Sequence, residues 1–168
     1  EKKKVFEADR PEFFARGYTG VPPQMCYTDP GFIAQVVQDA RDYFDGKGTK
    51  PGAVAAGDYF ALVPMDNGSY CTCPRCTAAQ ANPVNTLDTF SNGRHSNYIF
   101  AFCNQVAQEV ARTHPDKILA TLAYASYAYP PSFPVEKNIS VGFCLHTRNI
   151  WCSPLQENDR RLFDAWGA

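Results

Sequence analysis

The nine residues at 117–125, KILATLAYA, constrain the fold more than any other stretch. They are apolar almost without interruption, and Pro130-Pro131 forbids any continuation soon after. Such a run reads as a strand covered on both faces, the pattern of a parallel sheet. Two further runs fit the same description: 59–65 (YFALVPM) and 139–145 (ISVGFCL), with a shorter strand candidate at 24–28.

Helices fall between these runs. Asp29-Pro30 supplies an N-cap and a Pro at the first helical position. Ile33, Val36, Val37, Ala40, Tyr43 and Phe44 then recur at helical spacing until Gly46, Gly48, Pro51 and Gly52. Cys73 caps a second helix that opens with Pro74. Ser96 caps a third that runs to about Arg112, with Ile99, Phe102, Cys103, Val106 and Val110 on one stripe and His114-Pro115 as its stop. Cys103 lies on that stripe and reads as a buried thiol. The polar stretches 82–93 and 149–158 read as loops, and a last helical piece starts at Asp159 with Leu162, Phe163 and Trp166 apolar.

The order β-α-β-α-α-β-β-α predicts parallel α/β architecture. A length of 168 residues suffices for one domain with a real core. Four strands are too few for a closed eight-stranded barrel, which takes about 250 residues. The chain is therefore expected to be part of a larger protein.

Composition excludes several classes. A net charge of −1 suggests no nucleic-acid partner, and Lys2-Lys3-Lys4 reads as a solvated terminus. No apolar segment approaches the roughly 20 residues of a spanning helix, so no membrane insertion is expected. Seven cysteines are an odd number and cannot all pair internally. No H-E-x-x-H, P-loop or G-x-G-x-x-G pattern occurs, which argues against a metalloprotease or a nucleotide enzyme.

The chemistry concentrates at 58–76, DYFALVPMDNGSYCTCPRC. Asp66 follows the apolar run directly. It is the leading catalytic candidate, although Asp66-Asn67-Gly68 would also make a turn with no further role. Behind it, Cys71, Cys73 and Cys76 form C-x-C-x-x-C. Thiolates at this spacing fit a structural zinc site if a fourth ligand is found, and Cys26, Cys144, His146 and Cys152 are the candidates. A disulfide to a distant partner is a second reading, and redox chemistry at Cys73-Pro74-Arg75-Cys76 a third. His95 and His114 flank the long helix and read as surface residues, which leaves His146 as the histidine of interest.

RPEFFA, QMCYTDP, MDNGSYCTCPRC, YIFAFCNQVAQEVARTHPDK, LATLAYASYAYPP and NISVGFCL follow one another in this order. Over nearly the whole chain they resemble the large bacterial proteins carrying domain of unknown function 4838, a group assigned to glycoside hydrolase family 163. That group contains endo-β-N-acetylglucosaminidases acting on complex N-glycans. One departure is Arg10, where the family usually has His before its Pro-Glu pair. The resemblance implies a TIM-type (β/α) barrel, of which 1–168 would be the central, incomplete portion with flanking strands and accessory domains missing. It also implies a periplasmic or cell-surface enzyme with a glycan substrate and no catalytic cofactor.

Glycosidases work with two carboxyl groups, or with one assisted by the substrate's acetamido group. Asp66 would orient that acetamide. Asn67, Tyr124, His146 and Trp151 would contact sugar, although Tyr124 could equally plug the barrel mouth and Trp151 could serve packing. Glu109 lies on a helix, and Glu136 and Glu157 lie in loops, so the general acid is expected outside this chain. The alternatives are a carbohydrate-binding or scaffolding barrel without turnover, and a C-x-x-C thiol oxidoreductase.

Overall fold

A computed structural model describes residues 9–17 and 24–167, apart from the side chains of Thr147 and Arg148. The lysine run at 2–4 and the Val21-Pro22-Pro23 segment lie outside the described residues.

The elements are α1 (Pro30–Phe44), β1 (Ala55–Ala56), β2 (Tyr59–Ala61), α2 (Pro74–Ala79), α3 (Ser96–Ala111), β3 (Ile118–Ala123), β4 (Ile139–Phe143) and α4 (Ser153–Gly167). The strands form one sheet in the order β1-β2-β3-β4. The β1 pairing is antiparallel, while β2, β3 and β4 run parallel. The protein is thus a mixed α/β fold built on a mostly parallel sheet.

α1 starts where the Asp29-Pro30 signal places it, with the Asp29 side chain accepting the Phe32 N–H. α1 and α3 cover one face of the sheet. There Phe60 and Leu119 join Val37, Ala40, Ile99, Phe102, Val106 and Val110 in a single core. Burying an aliphatic or aromatic side chain of this size contributes about 1.5–3 kcal/mol. α3 therefore carries much of the fold. Cys103 is buried within it, as expected.

Several expectations are corrected. The run 59–65 pairs only from Tyr59 to Ala61, with one further bond from Leu62 N–H to the Ala120 carbonyl. Pro64 is the reason: it has no N–H for the ladder. The candidate strand at 24–28 is reduced to a single bridge between Phe14 and Met25. β1 is an addition. α4 begins at Ser153 rather than Asp159, and the expected loop before it contains a 3-10 turn at Thr147–Trp151. β3 alternates buried and half-buried residues, so its second face is only partly covered within the described residues.

Replacing Asp29 with Ala removes the α1 cap and the partner of Arg75, whose guanidinium donates to Asp29 Oδ2 at 2.9 Å. The variant should be less stable by about 1–2 kcal/mol, read as a lower urea midpoint with an unchanged slope.

Candidate functional site

Two groups of residues meet at the C-terminal ends of β2 and β3. The first is polar and aromatic. Tyr124 leaves β3 and its hydroxyl donates to Asp66 Oδ1 at 3.1 Å. Phe90 sets its ring edge against Tyr124, with centroids 5.4 Å apart, and against His146 at 4.9 Å. The Tyr124 and His146 rings lie 6.4 Å apart. Asp66 is exposed, with this aromatic wall beside it.

The turn that presents Asp66 is held from below. Gln24 is wholly buried, and its amide donates to the carbonyls of Met65 at 2.6 Å and Asn67 at 2.7 Å. Its own carbonyl accepts the Tyr27 hydroxyl. The backbone on both sides of Asp66 is therefore clamped by one side chain. Asn67 Oδ1 accepts the Ser69 N–H, so this oxygen serves the turn. Trp151 stands 89% exposed on its 3-10 turn.

After Tyr124 the chain turns sharply. Ala125 has φ of +47°, the left-handed region that a side chain disfavours by about 1–2 kcal/mol. Its carbonyl accepts the Asn92 N–H, and the Ser126 carbonyl accepts the His95 N–H. His95 packs on Tyr70 with ring centroids 4.3 Å apart. It is not a surface residue: burial, reinforced by the Arg94 charge, lowers its pKa to about 4. His114 is likewise half-enclosed, against Phe44 and bonded to Asp45.

The second group is the cysteines. Cys26 joins Cys71, Cys73 and Cys76, and the four sulfurs lie within 4.8 Å of one another. Cys26 Sγ is 3.8 Å from Cys73 Sγ and 3.6 Å from Cys76 Sγ. All four are buried and none is in a disulfide. Of the four candidate fourth ligands, Cys26 is the one in place. Cys144 is half-buried and Cys152 exposed, and neither belongs to this cluster.

The sulfurs are surrounded by donors. Arg16 N–H donates to Cys71 Sγ at 3.3 Å and the Tyr98 hydroxyl to Cys76 Sγ at 3.1 Å, while Thr28 Oγ1 lies 3.0 Å from Cys76 Sγ. Arg16-Gly17 can lie this close because Gly17 has φ of +79° and no side chain. A Cβ there would stand 2.3 Å from Thr72 Oγ1.

Burial raises the pKa of Cys26, with the Cys76 and Cys71 charges adding to it, and burial also raises Cys76. Burial pushes Cys73 up as well, but hydrogen bonds from the Cys76 backbone and the neighbouring thiols outweigh it and bring Cys73 down to about 6. Four sulfurs so placed could hold a metal ion. Thiols this enclosed are poorly placed to attack a substrate disulfide.

Gln24, Phe90 and His95 have no counterpart among the expected site residues. Phe90 carried a signal, as a lone aromatic in a polar loop. Gln24 carried none, since its two acceptors lie about 40 residues along the chain.

A cleft of about 260 Å³ also opens beside residues 60–65. Phe13, Met25, Phe32, Val36 and Phe60 line it, and neither Asp66 nor Tyr124 does. Its apolar wall suits a hydrophobic segment better than a sugar. Among the described residues, no helix is long and apolar enough to cross a membrane.

Two outcomes follow. Gln24→Leu removes a donor from the Met65 and Asn67 carbonyls, of which Met65 keeps the Asn67 N–H, and takes the acceptor from the buried Tyr27 hydroxyl. It should therefore destabilise the fold by about 1–3 kcal/mol. The 65–69 amides should exchange faster with deuterium in that variant. For His95, the unfolded chain takes up a proton below pH 6.5, which the folded chain resists down to about 4. Stability is therefore full above pH 6.5 and falls as pH drops through that window. Urea titrations of His95→Gln at several pH values should show a shallower fall than the parent across the same window.

Residues 2–168 match the family model described as Domain of unknown function (DUF4838). No curated protein and no solved structure matches the chain.

Proposed function

The chain belongs to the DUF4838 family, and from the strand-end group around Asp66 we propose that it is the central part of a glycosidase barrel. The reading in full is a retaining, substrate-assisted endo-β-N-acetylglucosaminidase on complex N-glycans, working in the bacterial periplasm or at the cell surface. The observation that carries it is the hydrogen bond from Tyr124 to Asp66, between residues that follow the C-terminal ends of adjacent parallel strands. Strand ends of this kind are where (β/α) barrels place their chemistry. The half-buried face of Ala61, Ala120 and Leu122 supports the barrel, since an apolar inner face suits further strands from elsewhere in the full-length protein.

The roles follow from chemistry. The Asp66 carboxylate accepts the acetamido N–H of the sugar and so aims the acetamido oxygen at the anomeric carbon. That oxygen forms the new bond as the glycosidic bond breaks, and a general acid protonates the leaving oxygen. Water then opens the resulting oxazoline with overall retention. Tyr124 holds Asp66 in orientation, or donates to the acetamido oxygen once substrate arrives. Phe90 and His146 offer ring surface to the apolar face of a sugar. Asn67 and Trp151 would add contacts further along the glycan.

One observation favours a second reading, a carbohydrate-binding barrel without turnover. Glu109 is bound up with Arg41 and Arg112, Glu136 with Gln108, and Glu157 with Arg161. None of the three glutamates is beside Asp66. In the catalytic reading the acid comes from another segment of the full-length protein.

The test is hydrolysis of a complex N-glycan by the full-length protein and its Asp66→Asn variant. The catalytic reading expects kcat to fall by about 10²–10³ with KM little changed. Undiminished hydrolysis in the variant removes Asp66 from the chemistry. Binding without hydrolysis by the parent establishes the second reading.

A further inference from the structure

We propose that Cys26, Cys71, Cys73 and Cys76 bind one zinc ion in a tetrahedral all-thiolate site that braces the Asp66 turn. This holds whether or not the domain cleaves glycans.

The geometry points to a single ion. A tetrahedron with Zn–S bonds of about 2.3 Å has edges of about 3.8 Å between sulfurs. The Cys26–Cys73 and Cys26–Cys76 sulfurs are 3.8 Å and 3.6 Å apart, and the whole set fits within 4.8 Å. A disulfide would bring two sulfurs to about 2.05 Å. Here all four cysteines are free, and Cys26 is nearly equidistant from Cys73 and Cys76.

The surroundings point to thiolates rather than thiols. A zinc ion with four thiolates carries two excess negative charges in a buried place, which is unfavourable without nearby donors. Arg16 N–H and the Tyr98 hydroxyl both aim at the sulfurs, and Thr28 Oγ1 stands at 3.0 Å. Thiols are weak acceptors, so so many donors would gain little from neutral sulfur. Donors of this kind around metal ligands hold them in orientation and tune their affinity. Arg75, between Cys73 and Cys76 in the chain, adds a positive charge, its guanidinium donating to Asp29 Oδ2 at 2.9 Å.

The site also ties together elements that meet through hydrogen bonds, the Arg75–Asp29 ion pair and core packing. Cys71, Cys73 and Cys76 lie just after the Asp66 turn. Cys26 sits two residues from Gln24, the side chain that clamps that turn. One ion would therefore fix the 24–29 segment against 71–76 and, through Gln24, hold Asp66 at its height above the sheet. Zinc has no redox chemistry and accepts four thiolates without a geometric demand of its own, which suits a sealed structural site.

The experiment uses the full-length protein, purified without a metal-binding tag from zinc-replete cells. Metal content is read by elemental mass spectrometry and native mass spectrometry. About one zinc per chain is expected. Titration with an organomercurial should release that zinc as four thiols react, and cobalt substitution should give the intense visible bands of a tetrahedral all-thiolate site. Cys73→Ser should weaken zinc by more than the roughly 10–100-fold that loss of a supporting group brings, with Tyr98→Phe in that smaller range. Cys103→Ser and Cys152→Ser should keep full zinc content. Should Cys73→Ser fail to fold, the mercurial stoichiometry on the parent decides alone. Less than about a tenth of an equivalent of zinc in the folded parent overturns the proposal, as does bound iron in its place. A disulfide within the four, found by peptide mapping under non-reducing conditions, overturns it equally.

Discussion

The segment from Gln24 to Asp29 is the strut on which the candidate site depends. In six residues it clamps the Asp66 turn through Gln24 and delivers Cys26 to the sulfur cluster. It also caps α1 through Asp29, which holds Arg75 from the start of α2. These contacts are polar, and the Gln24, Cys26 and Asp29 side chains that make them are buried, where such groups are costly when left unpaired. The strut is therefore specified by satisfaction of particular atoms rather than by apolar area. It gives up strand pairing to do this: only Met25 forms a bridge. Side chains alternate in direction along an extended chain, so Gln24 and Cys26 share one side. That common side faces the turn and the cysteines that follow it.

The helices could be anticipated because their signals are local. Asp29-Pro30 and the stripe of α3 each lie within a few turns of chain, and for α1 cap and periodicity agree. For α3 the stripe holds, but Ser96, expected as the cap, is the first helical residue, with His95 in the cap position and no side-chain cap hydrogen bond. Strand lengths could not, because a strand ends where its neighbour stops pairing. Pro64 was a visible exception inside YFALVPM, and its missing N–H is enough to end the ladder early. α4 had a signal too. Ser153-Pro154-Leu155-Gln156 has the form of a capping box with Pro in the first turn. The polar run that follows hides it, since only Asn158 and Leu162 of this helix are buried. Asn158 is an unusual anchor, donating to the Ser91 carbonyl and accepting from the Tyr129 hydroxyl.

The candidate site was readable to the extent that chemistry marks residues singly. An acid after a strand, a tyrosine at the end of the next and a spaced cysteine cluster can each be picked out. Their grouping cannot, because it depends on register. β2 and β3 pair Phe60 with Leu119, and that alignment brings Asp66 and Tyr124 to the same height. Cys26 was one of four candidates that local pattern could not rank. Burial decides among them: Cys152 is exposed and Cys144 half-buried, while Cys26 joins the other three in the core.

The Tyr124–Asp66 hydrogen bond joins two halves that are anchored independently. On one side, Asp66 stands on a turn fixed by Gln24. On the other, Tyr124 precedes Ala125, whose left-handed backbone is unfavourable unless its surroundings hold it there. They do: the 91–95 loop binds back on Ala125 and Ser126, and Asn92 also accepts the Ala128 N–H. Phe90 rides on that same loop and touches both Tyr124 and His146. The aromatic wall is thus one body, and the acid belongs to another. A single hydrogen bond of about 0.5–1.5 kcal/mol net cannot set the spacing of two such bodies. The spacing comes instead from the β2–β3 register beneath and from the strut behind. This makes the Asp66 carboxylate a group whose position is imposed by its supports. A ligand bound there would displace its bond to Tyr124 without moving the acid itself.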